Sequence, residues 1–289
     1  MFSGCITALV TPFKNGKVDY KKLIELIDFQ IANKVSGIVL CGTTGESPTL
    51  SDSEKEKIFR TGLKHCRGRV KLIAGTGTND TAKTIELTKM AKSVGMDGAL
   101  IVTPYYNKPT QEGLYRHYWL VADAVRIPII LYNVPGRTGV SLAPETVARL
   151  SVIKNIVAIK EASGDIDLVS RIRRLCPITI LSGEDALTFP ILCLGGKGVI
   201  TTVSNLIPAD IVSMIDCFNA GRIDEAREWH LKMLPLVKAV FIESNPIPTK
   251  TAMLMLGRLN GEMRMPLCCM GEANAAKLKQ ELKNYRLLK

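Results

Sequence analysis

Residues 156–162 read IVAIKEA. Ile156 to Ile159 have the continuous apolar character of a strand buried on both faces. Such a run ordinarily closes on a turn residue, not on Lys160, a long cation that is costly to desolvate. The same shape recurs along the chain. Seven further short apolar runs end in Gly, Thr, Pro or Asn and precede a stretch with helical spacing: CITALVTP (5–12), GIVLCG (37–42), VKLIAG (70–75), GALIVTP (98–104), PIILYNVP (128–135), ITILSG (178–183) and GVITTVSN (198–205).

The intervening segments have helix starts. Ser51 and Glu54 stand at capping-box spacing, and Pro144 and Pro208 suit a first helical turn. Eight βα units of roughly 25 to 30 residues predict a (β/α)8 TIM barrel; an open doubly wound sheet is the structural alternative. The barrel takes residues 1–222 as a catalytic domain. Residues 223–289 read as further helices, a C-terminal helical extension that the barrel itself does not need.

Composition fits a globular protein: 289 residues, 46% hydrophobic and 22% charged. No run of 18 uninterrupted apolar residues suggests a membrane span, and MFSGCITALVTPFK lacks the basic start of a signal peptide, so a cytoplasmic protein is expected. The eight cysteines include no CxxC pair; Cys5, Cys41, Cys66, Cys176, Cys193 and Cys217 sit singly and read as reduced thiols, and the adjacent Cys268 and Cys269 receive no assignment. His65, His117 and His230 fall in separate predicted helices without ligand spacing, so no metal is expected. The net charge of +11 raises the question of nucleic acid. However, the cations alternate with carboxylates along helices, as in EKEK (54–57), and no nucleic-acid-binding motif accompanies them. A basic surface equally attracts small anions.

In barrels of this kind the chemistry sits at the C-terminal strand ends. Strand two runs into CGTTGESPTL, where Thr43, Thr44 and Ser47 offer hydroxyls and backbone N–H groups to a carboxylate, or serve only as a connector. Strand four ends in VTPYYNKP, with Tyr105 and Tyr106 suited to proton transfer, an intersubunit contact or an aromatic plug. Strand five ends in LYNVPGRTG; Tyr132 points into the barrel mouth or into the helix layer, and Arg137 could grasp a carboxylate. Strand six supplies Lys160, either a surface ion paired with Glu161 or an amine poised to attack a carbonyl and form a Schiff base. An imine to a 2-oxo acid needs carboxylate donors, a proton shuttle and an acceptor site, and these strand ends supply all three.

These residues together resemble a known family: the pyruvate-dependent class I aldolases and lyases that include dihydrodipicolinate synthase and N-acetylneuraminate lyase. The resemblance runs from SGCITALVTPF through GTTGESPTL, AGTGTND, VTPYYNKPTQEGLY, LYNVPGRTG, IKEASGD, LSGEDAL and GGKGVI to ESNPIPTK. The Arg of YNVPGRTG and the ESNPIPTK segment look like the dipicolinate branch. The resemblance implies that Lys160 forms the imine with pyruvate. It also implies that Tyr132 donates and accepts protons, linked through Thr43 to Tyr106 reaching in from a neighbouring subunit. Thr44 and the backbone of Ile200 would hold the pyruvate carboxylate, Gly183 would line the pocket, and Arg137 would bind the carboxylate of L-aspartate 4-semialdehyde. It further implies a homotetramer built from tight dimers, no cofactor beyond the imine, and the first committed step of diaminopimelate and lysine biosynthesis.

Lysine-inhibited members bind lysine with His and Glu side chains downstream of the GTTGES and GTGTN loops. This sequence has Asp52, Lys55 and Lys83 at the matching places, and a cation at Lys83 in place of a carboxylate should repel the lysine ammonium, which implies weak or absent feedback. Other 2-oxo-acid aldol or dehydration reactions, and a non-catalytic basic barrel, are the rival readings.

Overall fold

The computed structural model of the protein describes residues 2–66 and 68–289. Its sheet closes on itself. Strand β1 (Gly4–Ala8) pairs in parallel with β2 (Gly37–Leu40) on one side and with β8 (Gly198–Thr201) on the other. Between them lie β3 (Lys71–Gly75), β4 (Gly98–Val102), β5 (Ile129–Asn133), β6 (Ile156–Glu161) and β7 (Thr179–Ser182), each hydrogen-bonded to the next in chain order. All eight apolar runs are therefore strands, and the fold is the expected (β/α)8 barrel rather than an open sheet.

The helices that cover the barrel are α1 (Tyr20–Ala32), α2 (Asp52–Cys66), α3 (Thr81–Val94), α4 (Gln111–Ala124), α5 (Pro144–Ser151), α6 (Ile166–Leu175), α7 (Thr188–Cys193) and α8 (Pro208–Asn219). Their starts follow the sequence chemistry. Asp19, Asp80, Thr110 and Asp165 each accept a first-turn backbone N–H with the side chain. The Ser51/Glu54 capping box is reciprocal: Glu54 Oε2 accepts the Ser51 N–H at 3.0 Å and Ser51 Oγ accepts the Glu54 N–H at 3.2 Å.

The strands are shorter than the apolar runs because their last residues bend into loops. The end of GVITTVSN is a turn of 3-10 helix at Val203–Asn205, and a further 3-10 turn at Asp185–Leu187 leads directly into α7. A small hairpin, Phe13–Lys14 against Lys17–Val18, was not anticipated. Asn15 and Gly16 both have positive φ there (53° and 74°), the geometry for which an Asn-Gly pair is the usual sequence signal.

Strand alternation yields two apolar layers. Ile6, Val39, Ile73, Leu100, Ile130, Ala158, Leu181 and Ile200 fill the barrel interior, whereas Ile38, Leu72, Ile101, Leu131, Ile159 and Ile180 face the helices. After α8 come α9 (Ile223–Val240), α10 (Ile247–Met255) and α11 (Glu272–Asn284); α9 packs on α8, and α11 packs on α9 and α10. Among the described residues no helix is long and apolar enough to cross a membrane.

Candidate active site

On β6, Ala158 faces the barrel interior and Ile159 the helix layer, so the pleat turns Lys160 inward. Lys160 is 6% exposed and pairs in register with Tyr132 on β5 and Leu181 on β7. Its Nζ lies 4.1 Å from the Tyr132 ring centroid. Tyr132 therefore belongs to the barrel mouth, in line with Ile130 two residues earlier.

Glu161 does not pair with Lys160. Its Oε2 accepts from Asn133 Nδ2 at 2.9 Å and its Oε1 from the Ser163 N–H at 2.7 Å. Burial pushes its carboxyl above the ordinary range, against the pull of those hydrogen bonds. Lys160 takes part in no ion pair among the described residues.

Gly183 makes room for the lysine. A Cβ at that position would stand 3.0 Å from Lys160 Cε and 2.6 Å from Ala162 Cβ. Its N–H is already donated to the Glu161 carbonyl at 2.7 Å, so what the residue offers the site is clearance. Across the mouth, the loop after β2 carries Thr43 and Thr44. Thr44 Oγ1 accepts from Asn245 Nδ2 at 2.9 Å and lies 3.2 Å from Thr202 Oγ1. Arg137 sits in a single helical turn, Pro135–Thr138, and donates through Nη2 to the Asn245 carbonyl at 3.2 Å.

These side chains border one cavity of about 270 Å³, which Lys160, Tyr132, Thr43, Thr44, Arg137 and Gly183 all line. Two residues singled out from the sequence lie elsewhere. Ile200 packs in the barrel interior, paired in register with Ile6 on β1. Tyr106 is 88% exposed, with φ 73°, and borders no part of the cavity. Its neighbour Tyr105 lines an adjoining cavity of about 240 Å³, which shares Thr43, Tyr132 and Arg137 with the first and has Lys55 in its wall. Lys83, the cation expected to repel lysine, lines neither cavity and has its charge paired with Asp52 and with Glu86.

Sequence reasoning missed Ser163, Glu184, Thr202, Phe241 and Asn245, which also line the cavity. The first three follow β6, β7 and β8 by one or two residues, so the strand-end rule could have found them. Phe241 and Asn245 come from the segment between α9 and α10; Phe241 carries no local signal, and Asn245 lies in the ESNPIPTK motif, which does not reveal that it reaches the Thr44 loop. Among the described residues no three His, Cys, Asp or Glu side chains gather as a metal site requires.

A buried, unpaired lysine at the C-terminal mouth of a barrel, with threonines, a tyrosine and an arginine around it, is the arrangement that comparison with known proteins can test. The profile of the Dihydrodipicolinate synthetase family matches residues 1–285. The chain belongs to that family. It is 55% identical over 290 aligned positions to the 4-hydroxy-tetrahydrodipicolinate synthase of Geobacter sp. (strain M21), with all of both chains covered. It superposes on the crystal structure of dihydrodipicolinate synthase from Aquifex aeolicus with a TM-score of 0.97 at 49% identity, covering 99% of each chain. On the dihydrodipicolinate synthase of Thermotoga maritima the TM-score is 0.98 at 45% identity, covering 100% of each. Within the family frame, the barrel and its C-terminal helices are the common scaffold and the lysine cavity is the place to seek activity.

Proposed function

We propose that this protein condenses pyruvate with L-aspartate 4-semialdehyde to give 4-hydroxy-tetrahydrodipicolinate. The observation that carries this reading is Lys160 itself, turned into the cavity with no carboxylate bonded to its amine among the described residues. The Lys160 amine attacks the pyruvate carbonyl; the carbinolamine loses water to form the imine, and loss of a methyl proton gives the enamine. The enamine carbon then bonds to the aldehyde carbon, whose oxygen takes a proton. Attack of the substrate amine on the imine carbon closes the ring and releases Lys160, so one water leaves for each ring formed.

Thr44 and the backbone near Ile200 would hold the pyruvate carboxylate, Tyr132 and Thr43 would move protons, and Arg137 would take the carboxylate of the aldehyde. The lysine serves as the electron sink, so the reaction calls for no separate cofactor.

A homotetramer of tight dimers goes with this reading. The Tyr106 ring, 88% exposed on the single chain, is well suited to enter a neighbouring subunit and extend the relay from Tyr132 and Thr43. The eight unpaired thiols fit a reducing cytoplasm. Feedback by lysine should be weak or absent, because Lys55 brings a cation to the wall of the adjoining cavity where a lysine ammonium would have to be neutralised.

The test is borohydride reduction in the presence of pyruvate, followed by peptide mass spectrometry. A three-carbon carboxyalkyl adduct on Lys160, and loss of turnover in Lys160→Ala, are the expected results. An unmodified Lys160, or a fully active Lys160→Ala, would overturn the proposal.

A further inference from the structure

Three carboxylates cluster at the ends of β6 and β7, and two of them are occupied. Glu161 is held by Asn133 and Ser163. Asp185 accepts from Thr201 Oγ1 and, at 3.1 Å, from the Thr202 N–H. Glu184 is different. Its backbone is fixed, with the carbonyl accepting from Ser182 Oγ at 2.7 Å and from Thr188 Oγ1 at 3.3 Å. Its carboxylate has no hydrogen bond or ion pair among the described residues, yet the residue lines the same cavity as Lys160 and Arg137. Burial raises its pKa, and so does Asp185; the charges of Lys160 and Arg137 pull it back.

The charges of Lys160 and Arg137 favour the ionised form of this half-buried carboxylate, and with no donor of its own it is free to accept one from a ligand in the cavity. On the reading given above, the acceptor is an amino-acid aldehyde that carries a carboxylate and an ammonium on one carbon. Arg137 answers the carboxylate. We propose that Glu184 receives the ammonium of the acceptor and takes its proton, making it a specificity-determining and catalytic residue for the ring-closing step.

The proton balance is simple. An N–H proton passes from the ammonium to the Glu184 carboxylate, and the freed lone pair bonds to the imine carbon. The new ring nitrogen then passes a second proton to the Lys160 nitrogen, its freed pair forms the ring C=N bond as the bond from that carbon to Lys160 breaks, and the proton held on Glu184 passes to the released Lys160 amine. Gly183, next in the chain, already brings this turn against Lys160 Cε. The proposal rests on the synthase reading, and its test separates the two.

Glu184→Gln should still trap pyruvate on Lys160, because imine formation does not use the carboxylate. Its KM for L-aspartate 4-semialdehyde should rise about ten- to hundredfold and its kcat should fall. Inhibition by succinic semialdehyde, which has the same carbon chain without the amine, should stay within about twofold of the parent value. Unchanged kinetics with the amino-aldehyde, or equal shifts for both aldehydes, would overturn the proposal. If Glu184→Gln fails to trap pyruvate, Glu184→Asp decides by the same comparison: a shift confined to the amino-aldehyde supports the role and equal shifts remove it. Failure of the unmodified protein to trap pyruvate would instead count against the synthase reading.

Discussion

Replacing Lys250 by methionine should unsettle the fold more than any surface change. The Lys250 ammonium is bonded to the Glu46 carboxylate with both side chains 0% exposed. It also donates to the Glu262 carbonyl at 2.9 Å and lies 4.4 Å from the Phe13 ring centroid. The second oxygen of Glu46 accepts the Arg264 N–H at 3.0 Å. Glu46 has φ 56°, a left-handed conformation that a side-chain-bearing residue rarely adopts without support.

Lys250→Met keeps the aliphatic stem and removes the charge, leaving a buried carboxylate with one backbone donor. Breaking a buried pair from one side costs about 3–5 kcal/mol, against about 0–1 kcal/mol for an exposed pair. Glu46→Gln strands the ammonium and should cost a similar amount. The double variant strands neither charge, so it should recover about 2 kcal/mol or more of the sum of the single losses. Urea unfolding at fixed protomer concentration, with the slope checked for constancy, measures all four proteins. Single losses under about 1 kcal/mol, or strictly additive losses, would refute the reasoning.

Three further outcomes follow from the same geometry. Gly183→Ala should lower kcat and cost about 1–3 kcal/mol of stability, because the added methyl meets Ala162 Cβ at 2.6 Å and Lys160 Cε at 3.0 Å; steady-state kinetics and urea unfolding check both. The Arg264 guanidinium holds the Glu54 carboxyl down at about 2, below its unfolded value of 4.5. This contribution is complete above about pH 4.5 and is lost as pH falls toward 2, so Glu54→Gln should flatten the acid limb of a stability titration, less visibly in high salt. Lysine should fail to half-inhibit below about millimolar concentration, which corresponds to roughly −4 kcal/mol of binding; a lower midpoint would refute the cation argument drawn from Lys55.

The barrel was legible because its strands are local patterns. Each of β1 to β8 is a short apolar run with a turn residue near its end, and the caps of α1 to α4 follow from Asp19, the Ser51/Glu54 pair, Asp80 and Thr110. Lys160 and Tyr132 were legible only in part. Their positions at strand ends could be read, but which face each occupies depends on pleat and register, settled by the pairing of Tyr132 with Lys160. The Asn15-Gly16 hairpin could have been read and was missed. The links of Asn245 to Thr44 and of Lys250 to Glu46 could not, because they join residues 201 and 204 positions apart with no periodicity to betray them.

Those two links set a timetable for synthesis. The ribosome makes the loop of Thr43 and Thr44 first, and the asparagine that steadies it 201 residues later. At translation speeds of 5–20 residues per second, the delay is on the order of ten to forty seconds. A nascent chain that already carries Lys160 thus waits for its final helices before the loop facing that lysine is secured, and a product truncated ahead of Asn245 would carry the nucleophile without a finished site.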